Sequence, residues 1–564
     1  VTANGATSAS AATFSAAWRR AVADRGASPF LSWESSTGAV TTWTYAEFDR
    51  LTGRVAARLR AAGLPAGGAV HLALANSPAF VAVWLAAVVL GAHIVPADPA
   101  ATAPEIAAQL TRTRAVVGIC SPRRRTVYAE AAAAAAAAGS AGAGSDLVVF
   151  AVDEDDVELA TLTGAAAGTG QAPSAGSPDT PGLVTPGLVT PGLVTPGLVT
   201  SGPETPGLET PGPETTAAVL FTSGTTSAPK GVVITQANYA FAGATMAAAA
   251  GLGPADRQLV ALPLFHANAQ YYSFAAAISV GASVALLGSF SASRFLAQAA
   301  RHRATHASLF AAPMRMILAR GAQRRDDLVL RHVWFAQNVT ADQYERLAAL
   351  LGCRPRQLYG MTETTAAVLT SRPDEARPDA MGRPTPGCAV RLSPRPDGGE
   401  RAPGEVGELL VGGERGARLF AGYLDDPGTT RRAFVDGWFR TGDRAYRDAD
   451  GVYHFAGRDS ETLKVAGENV SVVEVEAVVA EHPGVLEAAV VGRPDPVRDE
   501  VPVAYVVADP RGAAPGAEEL AAWCRRRLSP VKRPREFVLV DELPRTSVGK
   551  IRKFLLPPAP APDS

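Results

Sequence analysis

The stretch Val219-Leu-Phe-Thr-Ser-Gly-Thr-Thr-Ser-Ala-Pro-Lys-Gly-Val-Val233 narrows the fold and chemistry of this chain more than any other. An apolar run ends in hydroxyls and glycine, and Lys230-Gly231 closes it before a second β-branched run begins. Small residues let backbone N–H groups approach an anion, hydroxyls add donors, and the lysine adds positive charge. The segment reads as a phosphate cradle that suits a triphosphate, with a Ser/Thr-rich turn as the plainer alternative. It does not fit G-x-x-x-x-G-K-[ST], so it is not a Walker A loop.

The flanking sequence alternates helices and strands. Thr44-Tyr-Ala-Glu47 is a capping box, and Phe48, Leu51, Val55 and Leu59 then recur at helical spacing until Gly63. Val70 to Ala75 reads as a strand. Phe80 to Ala97 is broken by Gly91, His93 and Pro96 and preceded by Ser77-Pro78, so it reads as a buried helix running into a strand and not as a membrane span. This alternation implies α/β layers with at least partly parallel strands. A chain of 564 residues with 47% hydrophobic content can bury the cores of several domains. With 53 Lys+Arg against 54 Asp+Glu, no broad polyanion-binding surface is expected, and nucleic acid is not an expected partner. Cys120, Cys353, Cys388 and Cys524 form no C-x-x-C pair, and Val1 to Thr13 has no basic start or apolar run. A reduced, cytoplasmic enzyme is expected.

Residues 131 to 138 are all alanine and read as a bland surface helix. From Thr161 to Thr216 the chain is low-complexity, with Thr-Pro-Gly-Leu-Val repeated four times between Thr180 and Val199. Pro and Gly every five residues block helices and sheet ladders, so this insertion reads as disordered, a partner-binding tether being the alternative. Near the C-terminus, Ser471-Val-Val-Glu474 is a second capping box whose helix stops at His482-Pro483-Gly484. Strand-like runs follow at 485–491, 501–508 and 536–540, with a helix near 518–528. This is a compact α/β module of roughly 100 residues.

The segment Thr222 to Gly231 resembles the phosphate loop of the adenylate-forming enzymes: acyl-CoA synthetases, adenylation domains of peptide synthetases, and luciferases. Further family-like motifs follow in order: Leu262-Pro-Leu-Phe-His266, Tyr359-Gly-Met-Thr-Glu363, Trp438-Phe-Arg-Thr-Gly-Asp443, Gly457-Arg458, Lys464 with Gly467-Glu-Asn469, and Pro544-Arg-Thr-Ser-Val-Gly-Lys550. Phe335-Ala-Gln-Asn338, the stretch from Pro263 to Gln270, and Pro494 to Glu500 look nearest to crotonobetaine/carnitine-CoA ligases. The resemblance implies an α/β fold with a large multi-layer N-terminal adenylation domain, 1–457, interrupted by the insertion 161–216. A small mobile α/β C-terminal domain, 458–556, and a disordered tail, 557–564, complete the chain.

By the same resemblance, Thr222, Ser223, Gly224, Thr225, Thr226, Lys230 and Thr362 hold phosphate oxygens. Glu363 is a hard oxygen ligand for Mg²⁺, with Thr226 beside it. Tyr359 offers an aromatic face to adenine, while Asp443 and Arg458 take the ribose hydroxyls. Lys550 reaches the α-phosphate and the attacking carboxylate, stabilising developing charge. Its neighbours Arg545, Arg552 and Lys553 read as solvated. His266 is expected to line or gate the acyl pocket; a general base is not needed, since a carboxylate is already ionised at neutral pH. Tyr271, Tyr272 and Trp334 flank the substrate or simply pack in the core. His302 and His306 have i, i+4 spacing but no third ligand in view, so metal binding is not expected there. Ser227 stands where many relatives have glycine, and Ser460 occupies the expected hinge, where Asp or Lys is frequent. Phe335 to Asn338 replaces a Gly-rich loop that touches the nucleotide in many relatives.

The implied activity is ATP-dependent: a small acid becomes an acyl-AMP with release of pyrophosphate, and a nucleophile then displaces AMP. The first expectation for that nucleophile is the thiol of coenzyme A. The alternatives are a diazotase-type reaction, in which nitrite is adenylated and passed to an aryl amine, loading of a carrier protein, or amide formation. A dead nucleotide-binding scaffold is the rival from another class. No membrane association is expected, and monomer and homodimer are both compatible with the sequence.

Overall fold

The computed structural model describes residues 13–138, 147–164, 210–222, 229–458, 462–465, 468–495, 498–545 and 551–556. The N-terminal part is built on two large twisted sheets. In the nine-stranded sheet, strands Arg356–Tyr359, His332–Ala336, His306–Phe310, Arg257–Val260, Ser283–Leu287 and Pro29–Glu34 run parallel side by side, with antiparallel strands at both edges. In the seven-stranded sheet, strand Thr216–Thr222 lies between His93–Pro96 and its antiparallel partner Lys230–Thr235.

A helical layer fills the space between the two sheets. Helix Pro78–Val89 starts where Ser77 Oγ accepts from Phe80 N at 3.3 Å, with proline in the first turn. It is buried on nearly every side, Trp84 meeting Phe14 and Tyr239 with ring centroids 5.4 Å away in each case. It leads into strand His93–Pro96, so the apolar run expected to be buried is a core helix followed by a strand. Among the described residues no helix is long and apolar enough to cross a membrane. Helix Tyr45–Ala61 is opened by the expected capping box: Glu47 N donates to Thr44 Oγ1 at 3.2 Å and Thr44 N to Glu47 Oε2 at 2.8 Å. Its stripe Phe48, Leu51, Val55 and Leu59 joins the same core, each full burial contributing roughly 1.5–3 kcal/mol. Separate apolar clusters cover the outer faces of both sheets. The resulting order is helix, sheet, helix, sheet, helix.

The poly-alanine tract lies in helix Arg125–Ala137 and is less bland than expected. Ala131 and Ala135, four residues apart, are buried beside Tyr128. The low-complexity insertion lies outside the described residues except at its ends, where helix Ala160–Thr163 and strand Thr216–Thr222 are regular.

A smaller C-terminal domain follows, with a five-stranded sheet of Thr462–Val465, Glu468–Ser471, Val485–Asp495, Asp499–Ala508 and Glu536–Leu539. Helices Val472–Ala480 and Ala517–Arg525 pack on it. Ser471 caps the first of these, accepting from Glu474 N at 3.4 Å. The capping box is only half realised, because Glu474 Oε1 takes Lys532 Nζ at 2.7 Å.

Candidate active site

Strand Thr216–Thr222 ends at the edge of a cavity of about 820 Å³, and Thr222 faces Lys230 across the antiparallel ladder. The expected phosphate loop is therefore the connection of a hairpin. Ser223, Gly224, Thr225, Thr226 and Ser227 lie outside the described residues. Thr222, Lys230, His266, Thr362, Glu363 and Arg458 all line this cavity, although the sequence spreads them widely. Among the described residues four cationic side chains line it, Lys230, Arg432, Arg440 and Arg458, against the carboxylates of Glu363 and Glu408. That surplus of positive charge suits a polyanion.

Glu363 sits in a short 3-10 turn, Thr362–Thr364, directly after strand Arg356–Tyr359, and is 5% exposed. Its Oε1 accepts from Tyr423 Oη at 3.1 Å, and the Lys230 ammonium lies 5.1 Å from the Tyr423 ring centre. Burial raises its carboxyl, opposed by hydrogen bonding and by the charges of Lys230 and Arg458. A desolvated oxygen donor of this kind fits a hard divalent cation, which would favour its ionised form. Tyr423 carried no motif signal in the sequence.

The turn is held by a strained residue. Thr365 has φ 59°, rare for a β-branched side chain, and is fully buried with Oγ1 donating to Arg418 O at 3.0 Å. Phe420 N donates to Glu363 O at 2.9 Å, and Asn238 Nδ2 donates to Ala417 O at 2.8 Å and to Leu419 O at 2.9 Å. Asn238 thus ties the helical layer to the loop behind Glu363.

Asp443 and Arg458 face one another on neighbouring strands Trp438–Arg447 and Tyr453–Arg458. Arg458 donates to the Asp443 carboxylate, and Tyr359 Oη donates to Asp443 Oδ2 at 2.6 Å. Asp443 is 2% exposed, so in this arrangement its carboxylate is turned onto Tyr359 and Arg458, and Arg458 is the member of the pair that reaches the cavity. Tyr359 is correspondingly committed through its hydroxyl.

His266 lines the cavity beside Phe265, ring centroids 4.5 Å apart. Burial pushes it down to about 4, with Asp98 opposing weakly, so it is neutral at pH 7. Its turn is positioned by two residues the sequence did not single out. Asn76 accepts from Leu264 N at 2.7 Å and donates to Leu262 O at 3.0 Å and Leu287 O at 2.9 Å. Gln270 donates to Leu264 O at 2.6 Å from a π-helical segment, Asn268–Ala275. That segment buries Tyr271 and Tyr272, and Trp334 is 1% exposed, so all three pack in the core.

The i, i+4 histidines do not share a helix. His302 caps helix Phe295–Arg301 and meets Glu34 at 2.9 Å, whereas His306 opens a strand and contacts Thr305 Oγ1 at 2.8 Å. Among the described residues no group of three metal-ligating acids, histidines or cysteines is present. The solvated reading of two basic residues near the C-terminus also fails. Arg545 pairs with the nearly buried Glu487, and Lys553 with Glu476 at 2.8 Å, because acids of the small domain face them. Lys550 and Ser460 lie outside the described residues, as does Gly467.

The chain matches the profile of the AMP-binding enzyme family over residues 18–424, and that of the AMP-binding enzyme C-terminal domain over 474–550. It belongs to this family of adenylate-forming ligases. It is 31% identical to a crotonobetaine/carnitine–CoA ligase of Escherichia coli O7:K1 over 92% of this chain and 93% of that protein. The same identity holds for one from Citrobacter koseri, over 93% and 94%. Among solved structures, ATP-bound MatB from Rhodopseudomonas palustris superposes with a TM-score of 0.79 at 26% identity, covering 96% of this chain and 98% of that one. A benzoate CoA ligase from Burkholderia xenovorans gives 0.78 at 27%, covering 96% and 99%.

Proposed function

We propose that the protein is an acid–thiol ligase that activates a small carboxylic acid with ATP and transfers the acyl group to coenzyme A. The observation that carries this reading is the cavity lined by Lys230, Arg432, Arg440 and Arg458 together with the buried carboxylate of Glu363. A triphosphate fits that charge pattern, and three of the four relatives named above are CoA ligases.

In the first half-reaction an acid oxygen attacks the α-phosphorus, the bond to the β-phosphate oxygen breaks, and pyrophosphate leaves. Positioning and electrostatics do most of the work in such transfers. Lys230, with Thr222 and Thr362, orients the phosphates from the hairpin side, and Arg458 holds the ribose side. Glu363 would hold Mg²⁺, which when bound neutralises phosphate charge. Lys550 stabilises the charge that builds at the α-phosphate. In the second half-reaction the thiolate sulfur attacks the acyl carbon and AMP leaves. His266, already neutral far below pH 7, is too weak a base to take a thiol proton at ~8.5, so it serves as pocket wall. The small domain, whose start we place at residue 458, turns about the region of Ser460 between the two steps.

The test is an ATP-dependent assay with panels of acids and acceptors, following AMP, pyrophosphate and product mass. Thioester formed only with coenzyme A, and lost in Lys550→Ala while ATP still binds, is the expected result. AMP release that requires nitrite and an aromatic amine would overturn the acceptor, and unchanged turnover in Lys550→Ala would overturn the role of that lysine.

A further inference from the structure

Glu487 lies on strand Val485–Asp495 of the small domain, yet its side chain is only 7% exposed because the large domain covers it. Its Oε1 accepts from Arg315 Nη1 at 2.8 Å, and its Oε2 is paired with Arg545. Arg315 belongs to helix Ala311–Ala319 of the large domain and also donates from Nη2 to Asn338 O at 2.9 Å. Asn338 Oδ1 in turn accepts from Gln357 Nε2 at 2.8 Å, and Gln357 is on the strand that leads to Tyr359. A second contact runs beside the first, Gln343 Nε2 to Leu486 O at 3.2 Å. Arg545 and Ile551 form an isolated antiparallel bridge, and Arg552 N donates to Pro544 O at 2.7 Å, so both ends of the segment carrying Lys550 in sequence are pinned together.

Two guanidinium groups converge on one carboxylate. Burial pushes Arg315 and Arg545 down to about 10, and the charge of Arg315 adds to the effect on Arg545. Without Glu487 the two cations would face each other across the domain boundary in a partly desolvated space, which is costly. The Glu105 carboxyl of the large domain is held low by the backbone and hydroxyl of Thr102, and the charge of Arg552 contributes as well. Arg545 thus meets the large domain through Glu487 and Arg315, and Arg552 acts on it electrostatically at Glu105.

We propose that Glu487 is a positioning residue: clamped between Arg315 and Arg545, it holds the small domain in the orientation seen here, which we assign to adenylation, and links it through Arg315, Asn338 and Gln357 to the strand that leads to Gly360 at the cavity. It touches no reacting atom. Turning the small domain for thioester formation must separate Glu487 from Arg315, so the clamp favours the first half-reaction over the second. This rests on the adenylation reading above and extends it to the control of domain orientation.

The test follows hydrogen–deuterium exchange of the full chain with Mg·ATP, in the peptide containing residues 551–556. Arg315→Gln and Glu487→Gln should each speed exchange there by about tenfold, the double variant doing no more than either single one, and Arg315→Lys should restore part of the protection. A role confined to the small domain would not let a substitution at Arg315 move that peptide. With an acid that the wild type adenylates, Glu487→Gln should slow ATP–pyrophosphate exchange by about tenfold and leave thioester formation from added acyl adenylate unchanged. Unaltered exchange at 551–556 in Arg315→Gln, or an equal fall in both half-reactions, would overturn the proposal. Should no acid be adenylated, the functional reading fails while the exchange experiment still decides on the clamp.

Discussion

Gly360 connects strand Arg356–Tyr359 to the turn that carries Thr362 and Glu363, and the structure sets the cost of giving it a side chain. A Cβ at this position would stand 2.7 Å from Tyr272 Oη, 3.0 Å from Ala367 Cα and 3.1 Å from Ala366 O. Tyr272 is 5% exposed within the π-helical segment, so its ring has little room to swing aside, and the other two obstacles are backbone. In Gly360→Ala the turn itself must therefore shift by some tenths of an ångström. Overpacking of this kind costs about 1–3 kcal/mol of stability. Displacing Thr362 and Glu363 also costs rate: a 1 Å misplacement lowers turnover by about 10²-fold, so a shift of some tenths should lower it by roughly threefold to tenfold. Tyr272→Phe removes the nearest obstacle, so adding it to Gly360→Ala should recover roughly half of the lost stability while the backbone contacts keep the rate low. Urea denaturation gives the first quantity and single-turnover pyrophosphate release the second. Wild-type stability and rate in Gly360→Ala, or a double variant less stable than the single one, would refute the steric argument.

Gln337, exposed in the Phe335–Asn338 stretch, has φ 73°, a conformation that costs L-residues about 1–2 kcal/mol and glycine almost nothing. Gln337→Gly should stabilise the protein by about 0.5 kcal/mol and Gln337→Val destabilise it by about 1–2 kcal/mol; denaturation midpoints in the reverse order would contradict this. His71 is fully buried between Gln109 and Tyr128, and burial holds it at about 4 against ~6.5 when unfolded. Only the unfolded chain takes up this proton as pH falls from about 6.5 towards 4, so stability drops through that window by about 1.4 kcal/mol per pH unit. His71→Phe should flatten the stability–pH slope by about one proton, and an unchanged slope between pH 6.5 and 5 would show that His71 is protonated in the fold.

Much of the architecture was legible because its signals are local. A capping box at Thr44, a proline after Ser77, and apolar positions at helical spacing each act within a few residues, and the corresponding helices are present. Motif residues were legible for a different reason: each is embedded in a short run with its own chemical character, which is why Lys230, His266, Thr362, Glu363 and Arg458 could be proposed for one cavity. Where local reasoning failed, a distant partner decided. Glu474 left its capping box for Lys532, Arg545 and Lys553 met acids rather than water, and His302 and His306 fell on different elements despite helical spacing.

What the amino-acid order determined unaided was the place of several helices and strands and the chemical types proposed to meet a magnesium nucleotide. Tertiary structure alone decided which of those groups face the cavity. It turned Asp443 onto Tyr359 and Arg458, brought Tyr423 to Glu363, set Asn76 and Gln270 under the His266 turn, and placed Arg315 opposite Glu487. Each of these contacts joins residues whose side chains carry no sequence-local preference for one another. They form because buried polar groups must find partners wherever the packing of sheets and helices leaves them.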